Sequence, residues 1–157
     1  MADTIINGTN VLVFISPSTG TTTWTTFANA TSHTLSVKMS TRDTSNKDSG
    51  SYVTRAAGRL DVTGTMDGLA VDNNKYNYED LMKIVVARTA VLMIFGKETS
   101  SLSGVPDTTT TGGTHFYGSG KFFITEVTPT FPDHGNVTYT CTFEHADGFA
   151  FNSLITS

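Results

Sequence analysis

A strict two-residue alternation of apolar and polar side chains limits what this chain can become. Between Ser32 and Ser40, His33, Leu35, Val37 and Met39 fall on one side, and Thr34, Ser36, Lys38 and Ser40 on the other. Leu60, Val62, Gly64 and Met66 alternate in the same way with Asp61, Thr63, Thr65 and Asp67. Near the end, Val137, Tyr139, Cys141 and Phe143 oppose Thr138, Thr140, Thr142 and Glu144. Successive side chains of a strand point to opposite faces, so each run reads as a long strand with one face in a core and one in water.

The rest of the chain fills in around these strands. Asn10 to Ser16 is a β-rich run closed by Pro17 and Gly20, and Thr21 to Phe27 resumes as a short second strand, together a hairpin. Tyr78 to Arg88 carries Tyr78, Leu81, Met82, Val85 and Val86 as one apolar helical stripe, with Asn77 placed to cap it and Glu79 and Asp80 at its positive end. Ala90 to Phe95 reads as a strand buried on both faces. Phe116 to Val127 and Gly135 to His145 form a last pair around the turn FPDHGN, and Gly104 to Thr114 reads as a flexible loop. The expected fold is mainly β, an antiparallel β-sandwich or barrel with one flanking α-helix, spanning residues 1–157 as one domain.

Between the first two alternating runs lies Ser40 to Gly58, polar and nearly free of aliphatic side chains. Fixing a residue's backbone costs roughly 1–2 kcal/mol, so ordering this stretch needs on the order of 20 kcal/mol. Tyr52 and Val53 cannot supply that alone. The expectation is a segment that is loose in a lone molecule and is held by a neighbouring one.

Composition narrows the function. The 157 residues carry a net charge of −4, and only 15% of them are charged. Thr and Ser supply roughly a quarter of the chain. A protein that grips nucleic acid would show a basic footprint instead. The N-terminus has neither a basic nor an apolar leader region, and no window approaches a membrane span, so cytoplasmic synthesis is expected and no membrane partner. The lone Cys141 sits in an alternating strand, as a small buried hydrophobe would.

Catalytic constellations are missing. There is no G-x-S-x-G elbow, phosphate loop or H-E-x-x-H, and Asp43, Asp48 and Ser49 lack the spacing of a calcium loop. Glu144, His145 and Asp147 could ligate a metal, but polarity at a strand end explains them equally well. His33 reads as a partly buried structural residue, and His115 and His134 fall in turns. No enzyme, cofactor or metal is expected.

With its flanks, the polar segment reads SHTLSVKMSTRDTSNKDSGSYVTRAAGRLDVTGTMDGL, and this resembles the TP901-1-type major tail proteins of tailed bacteriophages. The likeness lies in the S-H-T-L-S-V strand, the D-T-S-N-K-D-S-G loop, a strand entered through Ala57-Gly58-Arg59-Leu60, and a helix followed by a strand ending at Phe95-Gly96. It extends from about Gly8 to Phe143. It implies a tail tube subunit that forms hexameric rings, stacked helically into a tube through which the genome passes. Tape-measure and terminator proteins are implied partners, DNA a transient one, and the virion tail the location.

On that resemblance, Asp43, Thr44, Ser45, Asn46, Lys47, Asp48, Ser49 and Gly50 are the inter-subunit loop. Thr34, Ser36, Lys38, Asp61, Thr63, Thr65, Asp67, Thr138, Thr140, Thr142 and Glu144 are candidates for the lumen wall, with Lys38 paired to Asp61 or Asp67. A hydroxyl-lined, mildly acidic bore suits passage. Each lysine–phosphate contact would make DNA binding steeper in salt by about 0.9 in log K per decade, and a tube repeats each contact many times. Two other readings stay open: a carbohydrate- or receptor-binding β-sandwich using Trp24, Tyr52, Tyr76 and Tyr117, and a secretion-system tube subunit.

Overall fold

The computed structural model describes residues 11–16, 24–27, 30–48, 50–71, 76–99, 102–106 and 116–151. Seven strands form one antiparallel sheet: β1 (Leu12–Ser16), β2 (Thr25–Thr26), β3 (Ala30–Asp43), β4 (Arg55–Leu69), β5 (Val91–Gly96), β8 (Phe116–Thr130) and β9 (Thr138–Phe151). Their order across the sheet is β2-β1-β5-β8-β9-β4-β3. A separate pair, β6 (Glu98–Thr99) and β7 (Leu102–Pro106), takes in the start of the expected Gly104–Thr114 loop, so residues 104–106 are strand. The remainder of that loop, His115, the 17–23 turn and residues 152–157 lie outside the described residues.

The alternating residues do what their pattern requires. Val62 and Met66 of β4, Tyr139, Cys141 and Phe143 of β9, and Phe122 and Ile124 of β8 all face one core. Val13 and Ile15 of β1 and Val91, Met93 and Phe95 of β5 enter the same cluster, although they belong to the other half of the sheet. One sheet therefore curls over to cover itself, which gives the expected sandwich-like core without a second large sheet. Register shifts in β8 at Gly120/Phe122 and Ile124/Glu126 supply bends, since an extra residue kinks a strand and increases its twist. The centre of the core is aromatic: Phe122 and Phe143 meet edge to face at 5.3 Å, and Phe95 lies 5.9 Å from Phe122. β5 is apolar on both faces as expected, and Phe14 and Ile94 form a second cluster on its far side, with Leu12 and Trp24.

The helix α1 (Tyr78–Ala87) starts where expected. Asn77 Oδ1 accepts the Tyr78 N–H at 2.9 Å, and Glu79 and Asp80 occupy the first turn. It ends at Arg88 in the left-handed region (φ 55°), whose N–H donates to the Val85 carbonyl. Leu81 is fully buried, with Tyr78, Ile84 and Val85 packed on the core beside it. The apolar stripe expected at this helix is turned from its assumed direction: Met82 and Val86 face water, because Ile84 competes with them for the core side.

The segment from Ser40 to Gly58 departs from expectation. It does not depend on a neighbour for its order in this structure, because β3 runs on to Asp43 and β4 begins at Arg55, leaving only an 11-residue tip between them. Thr41, Arg42 and Asp43 pair with Ala57, Ala56 and Arg55, so backbone hydrogen bonds do what the missing aliphatic side chains cannot. At the entry to this extension Ser40 faces a bulge, its Oγ accepting from Arg59 N–H at 2.8 Å and donating to Arg59 O at 3.2 Å. The result is a hairpin arm standing clear of the body.

Candidate functional site

Cross-strand partners in an antiparallel sheet share a face, so the register arranges the eleven candidate wall residues. Thr34 faces Thr65, Ser36 faces Thr63 and Lys38 faces Asp61 between β3 and β4. On the other side of β4, Thr63, Thr65, Asp67 and Leu69 face Glu144, Thr142, Thr140 and Thr138 of β9. All eleven positions therefore lie on a single face of a three-strand surface, opposite the core, and none is buried. β8 widens this face by a fourth strand: Thr130, Thr128, Glu126 and Phe123 stand opposite Thr138, Thr140, Thr142 and Glu144. Sequence alternation alone did not reveal these β8 residues, because the bulge at Thr125 reverses the parity between Phe123 and Glu126. Following the pattern backwards from Thr130 and Thr128 would have found Glu126.

Hydroxyls and carboxylates on this face bind one another in rows across the strands. Asp67 is the hub, accepting from Ser32 Oγ at 3.0 Å through Oδ2 and from Thr140 Oγ1 at 2.7 Å through Oδ1. Thr34 and Thr65 share a hydrogen bond of 2.8 Å, and Thr128 donates to Glu126 at 3.1 Å. The face thus holds its side chains flat and largely satisfied, with four carboxylates (Asp61, Asp67, Glu126, Glu144) against the one ammonium of Lys38.

The expected Lys38 ion pair does not form. Lys38 stands opposite Asp61 in register, but the Asp61 carboxylate lies 3.4 Å from His145 Nδ1 instead. That histidine sits where β9 parts from β4, and its Nδ1 also accepts the Val62 N–H at 3.2 Å, replacing a ladder bond. Beyond it opens a cleft of about 440 Å³ lined by Val37, Leu60, Val62, Phe149 and residues 145–148.

The loop residues cap the arm. Asp43 ends β3, and its Oδ1 accepts the Ser45 N–H at 2.8 Å, which holds its carboxyl below the usual range. Asn46 Oδ1 accepts from Asp48 N–H at 3.0 Å, and Thr44 N–H donates to Thr54 O at 2.9 Å. Gly50 adopts φ 65°, a left-handed conformation that suits glycine. Thr44, Ser45, Asn46, Lys47, Asp48 and Gly50 are exposed, while Ser49 lies outside the described residues. Tyr52 (85% exposed) and Val53 (60%) project from the same tip.

Other sequence candidates are scattered. Trp24 packs against the Phe14–Ile94 cluster, Tyr76 against the main core, and only Tyr52 stands free, so these three make no aromatic platform. The Tyr117 side chain lies outside the described ones. Glu144 points to the wet face, His145 is engaged as above, and Asp147 accepts the N–H of Gly148, so the three do not converge. His33 is half-buried, and burial lowers its pKa.

Known structures share this architecture. The chain superposes on a subunit from the tail of an empty gene transfer agent particle, solved with C6 symmetry, with a TM-score of 0.73 and 19% identity, covering 94% of this chain and 98% of that one. It is similar to the SPP1 tail tube protein (TM-score 0.70, 10% identity, 96% and 81% covered). It is also similar to a chain of the sixfold anti-feeding prophage baseplate (TM-score 0.58, 8% identity, 98% and 100% covered). The fold is thus that of tail tube subunits. The sequence profile of the phage tail tube proteins matches residues 5–149, and the chain belongs to that family, a structural component of the virion tail. No curated protein sequence matches it.

Proposed function

We propose that residues 1–157 act as one tail tube domain, six copies closing into a ring and rings stacking into a hollow tube that conducts the viral genome. The observation that carries this reading is the wet face. Four neighbouring strands offer a continuous surface of hydroxyls with a few carboxylates, backed by a dry core, and this is what the wall of a DNA-conducting bore requires. The sixfold symmetry of the gene transfer agent tail and of the prophage baseplate supports hexameric closure. The TP901-1-type kinship rests on the Asp43–Gly50 motif.

In this reading Thr34, Ser36, Lys38, Asp61, Thr63, Thr65, Asp67, Thr138, Thr140, Thr142 and Glu144 belong to the bore, joined by Glu126 and Thr128. The loop from Asp43 to Gly50 contacts another subunit. DNA passes without specific contacts, tape-measure and terminator proteins are the further partners, and the role is structural with no catalytic step. Negative-stain microscopy of the purified protein tests this: rings or tubes with a central hole are expected. A chain that stays monomeric at high concentration and binds glycans would overturn it.

A further inference from the structure

Charge is distributed unevenly over this fold. The arm from Lys38 to Arg59 holds Lys38, Arg42, Lys47, Arg55 and Arg59 against Asp43 and Asp48, a net of +3. The whole chain is −4, so the remainder carries −7. All seven side chains are exposed, and none of the five cations forms an ion pair with another described residue. Arg42 pairs across the hairpin with Ala56, and Arg55 with Asp43 one step further on, so the two guanidinium groups flank opposite faces of the arm. Between them and the tip, Tyr52 and Val53 add exposed apolar surface.

The far end of the sheet has the complementary character. β4 runs from Arg55 at the arm to Leu69, roughly 45 Å at the rise of an extended strand, and Leu69 lies beside Thr138, where β9 starts after the β8–β9 turn. In that turn Phe131 is 63% exposed and stands edge-on to Tyr78 at 5.7 Å, which places the helix N-terminus at the same end. Glu79, Asp80 and Asp133 surround this aromatic pair. Lys83 engages Asp80 at 3.2 Å and His134 lies 3.0 Å from Asp133, so Glu79 and, when His134 is neutral, Asp133 are left to a partner. Their charge also exceeds the partial positive charge of the helix start.

We propose that the arm of one copy docks on the Tyr78–Phe131 end of a second copy, with Glu79 and Asp133 receiving Arg42 and Arg55 and the aromatic pair receiving Tyr52 and Val53. Two different surfaces at opposite ends make a head-to-tail contact, and such a contact propagates openly instead of closing into a pair. Opposite charge steers the encounter and fixes its register, and burial of the apolar tip adds the area-dependent gain. This deepens the tube reading, on which it rests, by naming the surface that receives the arm.

The test uses the full chain and two charge-reversed doubles, Arg42→Glu/Arg55→Glu and Glu79→Lys/Asp133→Lys. Each should raise the concentration needed for polymerisation by about tenfold or more, and the combined quadruple variant should recover most of the loss. Circular dichroism and melting temperature confirm that each variant is folded. Wild-type polymerisation of either double, or no recovery in the quadruple, overturns the proposal while leaving the tube reading intact. A wild-type chain that never assembles overturns that reading, and the inference with it, before any variant is made. If a double fails to fold, Tyr52→Cys/Phe131→Cys decides: a disulfide-linked ladder on oxidation supports the contact, and monomers alone refute it.

Discussion

Phe143 shows how much one residue carries in this fold. Its ring meets Phe122 and Phe95 at the centre of the core, and Gly64 across the strand leaves the space it fills. A Cβ on Gly64 would strike that ring and the Thr34 carbonyl, so here glycine is required by close approach. Phe143→Ala should cost about 3–5 kcal/mol in a denaturant titration, and Gly64→Ala about 1–3 kcal/mol from overpacking. Titratable core groups set the pH range of stability. Burial pushes the Cys141 thiol from 9.0 to about 12 and the Tyr139 phenol from 10.0 to about 12. The folded state therefore keeps their protons longer than the unfolded chain does, and stability falls as pH rises from about 9 towards 12. Burial lowers His33 below 6.5, so its effect is opposite in sense: stability is present above that pH and is lost as acid protonates the unfolded chain preferentially. Melting temperatures should accordingly peak between these limits, and His33→Gln should flatten the acid side.

Among the elements, β3, β4, β9 and the helix were legible in the sequence, because period-two and helical patterns report which residues leave water. Asn77 as cap and Leu81 as anchor were readable for the same reason. The arm was not. Aliphatic content measures burial, whereas the pairing of Thr41 to Asp43 with Arg55 to Ala57 rests on backbone hydrogen bonds, to which composition is blind. Nor does any local pattern say that β5 lies between β1 and β8, since alternation fixes a face and not a partner. Because residues 43–50 touch nothing in the core, deleting Asp43 to Gly50 should leave a folded protein with an unchanged melting temperature that no longer polymerises. Normal tubes from that deletion would show the loop to be dispensable.

At the scale of the whole molecule, two halves of the account meet. The wet face of the candidate site was legible to the extent of three strands, all eleven residues falling together, and β8 escaped because its bulge interrupts the rhythm. What that face does depends on its charge. Replacing Thr138, Thr140 and Thr142 with Lys would place a ring of cations on it in every layer of a tube, and DNA passage should slow in a salt-dependent way while tubes still form. The arm and the acidic end concern how copies join, and the hydroxyl face concerns what passes between them. A cryo-EM reconstruction of tubes grown from the purified chain tests the central claim most directly. The account predicts sixfold rings whose inner wall displays Thr34, Thr65, Asp67, Thr140 and Glu126; tubes with that face on the outer surface, or buried between subunits, would contradict it.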